Sequence, residues 1–142
     1  MTRYQHTQIG HAIVWSLLAI ILIVNGGLGH HAPPLAVSIM LLVCLILFYR
    51  LNVTIDDEML CASFGPGIIR KRVPLADIVR CEPIRIRWWY GWGIHVTPCG
   101  WLYNVSGFDA VAITLRDGRK LALGTDDPHG LTAGIRDAIR VN

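Results

Sequence analysis

Between Arg3 and Arg50 the chain contains no Asp, Glu, Lys or Arg. Ordinary domains carry roughly one charged residue in four, so a charge-free stretch of this length has few places to sit in water. Ile9 to Val24 is a first apolar run, broken only by Gly10, His11 and Ser16. Leu35 to Tyr49 is a second, broken by Ser38 and Cys44. Between them Asn25 to Pro34 holds three glycines and two prolines, residues that end one helix and open the next. With their uncharged flanks the runs extend to 7–28 and 32–49, close to the ~20 residues that cross a bilayer core of ~30 Å. The expectation is a transmembrane helical hairpin in residues 1–50. A cleaved signal peptide fits less well, because no small-x-small site follows Val24 and the second apolar run begins at once. The connecting segment has no Lys or Arg, whereas Arg3, Arg50 and Arg70-Lys71-Arg72 flank the hairpin, which predicts that both termini are cytoplasmic.

The rest of the chain reads differently. Overall the 142 residues are 53% apolar and 16% charged, with mean hydropathy +0.45, which excludes intrinsic disorder. All ten acids and eleven of the thirteen bases follow Arg50, so residues 51–142 are near neutral. Such a balance offers nucleic acid little attraction, and no nucleic-acid partner is expected. Alternation replaces runs here. Val53 and Ile55 alternate with polar neighbours, then Asp56-Asp57-Glu58 reads as a turn. Met59 to Phe64, Ile68 to Val73, Ile78 to Arg87, Trp101 to Val105, Val111 to Leu115 and Lys120 to Leu123 read as further strands. Gly65-Pro66-Gly67 and Asp117-Gly118 supply turns. After Asp127-Pro128, a cap and a first-turn proline, Leu131, Ile135, Ala138 and Ile139 follow at helical spacing. Residues 51–142 are expected to fold as one unit.

The stretch Trp101-Leu102-Tyr103-Asn104-Val105-Ser106-Gly107, with Ala110 to Leu115, Asp117-Gly118 and Gly124 to Pro128, resembles the C-terminal part of bacterial pleckstrin-homology-like (PH-like) domains. Small prokaryotic membrane proteins with two helices ahead of such a domain share this layout. The resemblance implies a membrane helical hairpin followed by a mainly-β PH-like barrel of about seven strands, closed by one C-terminal α-helix. Taken with the apolar runs, the expectation is a multi-pass protein of the bacterial inner (cytoplasmic) membrane, serving as a non-catalytic, membrane-anchored interaction or accessory module. A lipid-binding or lipid-transfer-related domain is the alternative. One departure separates the chain from phosphoinositide-binding members: the first hairpin tip is Asp56-Asp57-Glu58, which repels an anionic headgroup.

Chemistry-bearing motifs are few. Cys44, Cys61, Cys81 and Cys99 form no C-x-x-C pair and read as small packed hydrophobes. His30-His31 reads as two polar residues at a helix exit rather than a metal site. His11 has no second histidine facing it from the other helix, as axial haem ligation would need. Gly-x-Ser-x-Gly and Gly-x-Gly-x-x-Gly are absent. Neither a catalytic set, a metal nor a cofactor is expected. The unusual segment is Arg85-Ile86-Arg87-Trp88-Trp89-Tyr90-Gly91-Trp92-Gly93. If strand alternation continues, Ile84, Ile86 and Trp88 face inward, with Arg85, Arg87 and Trp89 on the other face. A purely structural reading makes this run a core tryptophan plus a sheet cover. The functional reading makes Arg85, Arg87, Trp89, Tyr90 and Trp92 a contact with the lipid bilayer, with anionic lipid or another membrane subunit as partner. Tryptophan and tyrosine settle at that boundary, and each arginine near anionic lipid contributes ~1 kcal/mol.

Overall fold

The structure, a computed structural model, describes residues 2–27 and 32–141. The chain begins with a strand, β1 (Tyr4–Ile9), followed by helices α1 (His11–Gly27) and α2 (Ala32–Phe48). Strands β2 (Arg50–Ile55), β3 (Met59–Phe64) and β4 (Ile69–Pro74) come next, then β5 (Ile78–Arg85), β6 (Gly93–Thr97) and β7 (Gly100–Asn104). Strands β8 (Asp109–Leu115) and β9 (Lys120–Gly124) precede α3 (Pro128–Val141).

These strands form two sheets, a four-stranded one in the order β1-β2-β3-β4 and a five-stranded one in the order β5-β8-β9-β7-β6. Alternation does the sorting. Leu51, Val53 and Ile55 of β2 and Leu60, Ala62 and Phe64 of β3 are buried, and meet Val111, Ile113, Leu121 and Leu123 of the second sheet. Helix α3 lays Leu131, Ile135 and Ala138 into the same core. Its start is capped as its sequence predicts, with the Gly130 N–H donating to Asp127 Oδ1 at 3.0 Å.

The expected PH-like barrel of about seven strands is not what the chain forms. Among the described residues the sheets remain open, with no closed barrel, and there are nine strands. The physical reason is the last strand. β9 inserts between β8 and β7 and runs parallel to β7, with Trp101 opposite Leu121 and Tyr103 opposite Leu123. A simple antiparallel meander that could close on itself is thereby broken.

The expected transmembrane hairpin also needs correction. Helices α1 and α2 have 17 residues each, about 25 Å, and among the described residues no helix is long and apolar enough to cross a membrane. A multi-pass inner-membrane protein, and an orientation with both termini cytoplasmic, therefore lack their premise. The shortfall originates in the sheet. Thr7 to Ile9, counted above with the first helix, are the last residues of β1, where they pair with Asn52, Leu51 and Arg50. Gly10 then donates its N–H to the Tyr49 carbonyl at 2.8 Å, so Tyr49 too is held by the ladder. The hairpin is thus an insertion between two neighbouring antiparallel strands. His30-His31 lie outside the described residues.

Its base is fixed to the domain. Phe48 packs edge-on against Phe64 with centroids 5.5 Å apart, and Arg50 Nε donates to the Gly65 carbonyl at 3.0 Å. Gly65 has φ +52, and a Cβ there would stand 2.4 Å from the Ile46 carbonyl oxygen, so only glycine fits this junction.

Strand β1 is clasped from the other side by the start of α3. Tyr4 Oη donates to Asp127 Oδ2 at 3.4 Å, and His6 Nε2 contacts Asp126. Burial, then the neighbouring Asp127 charge, pushes the Tyr4 phenol up to about 12. A raised phenol favours the neutral form in the fold, so its contribution is fully present below pH ~10 and is lost as pH climbs towards 12. The gap in urea midpoint between the natural chain and Tyr4→Phe should narrow across that window. A gap that stays flat from pH 10 to 12 would mean the phenol titrates at its ordinary value.

Candidate functional site

The segment 85–92 does not continue as a strand. β5 ends at Arg85, opposite Asp109 of β8, and Ile86 is pinned by its N–H to the Phe108 carbonyl at 2.6 Å. A single 3-10 turn follows over Trp88–Tyr90, closed by Tyr90 N–H to the Arg87 carbonyl at 3.0 Å. Gly91, at φ +66, lets the chain turn back into β6. The turn rotates Trp88 away from the inward position that alternation predicts. Trp88 is 74% exposed and Trp89 55%, whereas Ile86 alone is buried.

Arg85, Arg87, Trp88, Trp89 and Phe108 surround a groove of about 440 Å³ with Ile86 at its floor. Arg87 lies over the Trp89 ring, its Cζ 4.9 Å from the centroid. Trp88 and Trp89 meet edge to face at 5.8 Å. Among the described residues neither Arg85 nor Arg87 forms an ion pair with a carboxylate. The groove therefore offers two free guanidinium forks beside exposed rings, a combination suited to an oxyanion attached to an apolar body.

The other two aromatics go elsewhere. Tyr90 packs on the small cluster of Ile86, Leu102, Ala110 and Ala122. Trp92 is outside the groove, and its Nε1 is buried without a hydrogen-bond partner among the described residues. Phe108 escapes a reading by sequence, because a lone aromatic after Ser106-Gly107 looks like ordinary turn filling.

Register places this groove at the hairpin end of the domain. Gln8, near the end of β1, donates through Nε2 to the Ser106 carbonyl at 2.9 Å. Val105 packs so closely on Gly10 that a Cβ there would lie 3.1 Å away. The same loop then supplies Phe108 to the groove. Exposed Ile9 and Ile68 flank the hairpin base, and Arg50 lies over the Tyr49 ring at 5.2 Å. The acidic turn Asp56-Asp57-Glu58 sits at the opposite end of β2, roughly 17 Å away along the strand.

The hairpin itself is apolar on every side. Trp15, Ile20, Leu22 and Ile23 of α1 are exposed, as are Ile39, Met40, Leu42, Val43 and Ile46 of α2. Its polar side chains find partners inside it: Ser16 Oγ donates to the Ala12 carbonyl at 2.7 Å, and Asn25 Nδ2 donates to the Ile21 carbonyl and to Ser38 Oγ across the pair. His11 is the first residue of α1 and is exposed. Among the described residues no group of three or more His, Cys, Asp or Glu could hold a metal ion.

No protein-family model, curated protein or solved structure matches the chain. The PH-like resemblance thus has neither a matching model nor the closed barrel behind it.

Proposed function

We propose that the protein is a non-catalytic accessory module that docks on a lipid bilayer. The hairpin embeds in the apolar zone without crossing it, and the groove of Arg85, Arg87 and Trp89 rests on anionic headgroups. One observation carries this reading: the all-round apolar hairpin and the arginine-tryptophan groove emerge at one end of the domain, with the acidic turn at the other. A helix apolar on all faces needs an apolar surrounding, and internally satisfied Ser16 and Asn25 suit one that offers no water. Free arginines and exposed tryptophans suit the wet-apolar boundary immediately above it.

The test is vesicle flotation of the full chain carrying Arg85→Glu, Arg87→Glu and Trp89→Ser. Two arginines at ~1 kcal/mol each predict roughly thirtyfold weaker binding to phosphatidylglycerol-containing vesicles. Binding to neutral phosphatidylcholine vesicles should change far less, and the thermal transition should stay in place. Unchanged affinity of the folded triple variant for anionic vesicles would show that the groove does not read charge on lipid.

A further inference from the structure

A second opening lies where the two sheets part, away from the groove. Strand β4 is an edge strand, and its alternation is settled by its partners across β3. Ile69 faces Phe64, Lys71 faces Ala62 and Val73 faces Leu60, and all three β3 residues are buried. Lys71 therefore occupies an inward position, where the flanking residues are apolar. From the opposite sheet Trp101 and Tyr103 share the inward side of β7, being register partners of buried Leu121 and Leu123. Tyr103 reaches across to Phe64, with ring centroids 6.1 Å apart, and closes the core there. Beyond it the sheets diverge. Trp101 is left 51% exposed, and a cleft of about 250 Å³ opens over Leu115 and Leu121.

Three cations line this cleft: Lys71, Arg119 and Lys120. Among the described residues no carboxylate does. Asp117, in the turn between β8 and β9, accepts from Arg119 Nε at 2.5 Å and from its backbone N–H at 2.9 Å. Among the described residues Lys71 and Lys120 have no ion-pair partner. An inward lysine on an edge strand can serve to block edge-to-edge pairing. That duty needs one charge. It does not call for Lys120, a second cation without a carboxylate partner, at the same opening beside the Asp117-paired Arg119.

We propose that this seam binds a small phosphate-class anion carrying a flat ring. Lys71 reaches the phosphate from the inward face of β4, Lys120 lines the rim at the first position of β9, and the terminal nitrogens of Arg119 add a fork that matches its oxygens. The ring lies on the half-exposed indole of Trp101, which accepts any flat π-face. Tyr103 supplies a neutral hydroxyl at the inner wall, its phenol raised by burial. The cleft is large enough for one phosphorylated ring and too small for a strand of nucleotides.

The probe is the Trp101 indole N–H resonance of the full chain in neutral detergent micelles, assigned by its disappearance in Trp101→Phe. Phenyl phosphate should shift it saturably, at least tenfold more tightly than inorganic phosphate or phenol. Lys71→Ala and Lys120→Ala should each weaken the shift severalfold while the other four indole signals stay in place. Glycerol phosphate and a short-chain phosphatidic acid test whether the phosphate comes from a lipid headgroup. If either binds more tightly than phenyl phosphate, the ring-bearing ligand is wrong. A shift that never saturates, or is equal for phenol and phenyl phosphate, removes the site. So does a shift that survives loss of both lysines.

Discussion

A chain in which residues 11–48 are replaced by Asn-Gly should keep its fold and lose its association with vesicles. The geometry asks for this replacement. β1 and β2 are antiparallel neighbours, their last paired residues are Ile9 and Arg50, and the Gly10 N–H already reaches the Tyr49 carbonyl at 2.8 Å. Two residues in a type I′ turn span such a gap with the right twist. The cost to the domain is mainly Phe48, a partly buried ring against Phe64, at about 1–2 kcal/mol. The binding loss should be far larger. Even five of the exposed hairpin side chains, at ~1.5 kcal/mol or more each on burial, outweigh two groove arginines at ~1 kcal/mol each. Flotation should therefore fall by two orders of magnitude or more on neutral and anionic vesicles alike. A hairpin-less chain that still floats with neutral vesicles would sink the lipid-docking reading. So would a full chain that stays monodisperse in buffer free of lipid and detergent. Cutting the chain before Leu51 is a different experiment, because it also strips β1 from the edge of β2 and with it the Tyr4 and His6 contacts to α3.

The parts of this fold that were legible in sequence are those decided locally. Met59–Phe64 alternates cleanly because one face meets the core, and Asp117-Gly118 turns because Gly118 can adopt φ +84. Helix α3 announces itself through Asp127, Pro128 and the spacing of Leu131 and Ile135. What sequence hid is non-local. Tyr4–Ile9 has only a weak pattern of its own, and becomes a strand because β2, more than forty residues later, offers it an edge. That pairing removed three residues from the first helix and changed a membrane-crossing expectation into a shorter insertion. The order of β7, β8 and β9 is likewise invisible to periodicity, since the same alternation serves a parallel or an antiparallel neighbour. At the groove, composition pointed to Arg85, Arg87 and Trp89, but a 3-10 turn rather than a strand decided that Trp88 faces outward and Tyr90 inward. Phe108 joined them only through the β5–β8 register.

The largest effect on stability should come from a contact between two residues that neither propensity nor pattern singles out. Asn104 ends β7 with its side chain fully buried. Its Nδ2 donates to the Gly107 carbonyl, and its Oδ1 accepts from the Ser106 N–H, both at 3.2 Å. Together these bonds shape the loop that carries Val105 to the hairpin base and Phe108 to the groove. Gly124, at the end of β9, lies directly against this amide: a Cβ there would stand 2.1 Å from Oδ1 and 2.7 Å from Cγ. Gly124→Ala must therefore expel Asn104 from its place. Losing the bonds of a buried polar group costs about 1–3 kcal/mol, and overpacking a similar amount. A total of about 3–5 kcal/mol is a large share of the 5–15 kcal/mol that typically holds a domain together. Asn104→Ala alone should cost about 2 kcal/mol, since it forfeits the two bonds without a clash. The decisive measurement is the double variant. With the amide gone the added methyl finds room, so Gly124→Ala should cost much less in the Asn104→Ala background than in the natural chain. Urea midpoints of the four chains, in neutral detergent, give that coupling directly. Additive losses would mean that Gly124 is needed for some other reason, and that the 104–107 loop is not held by the interlock described here.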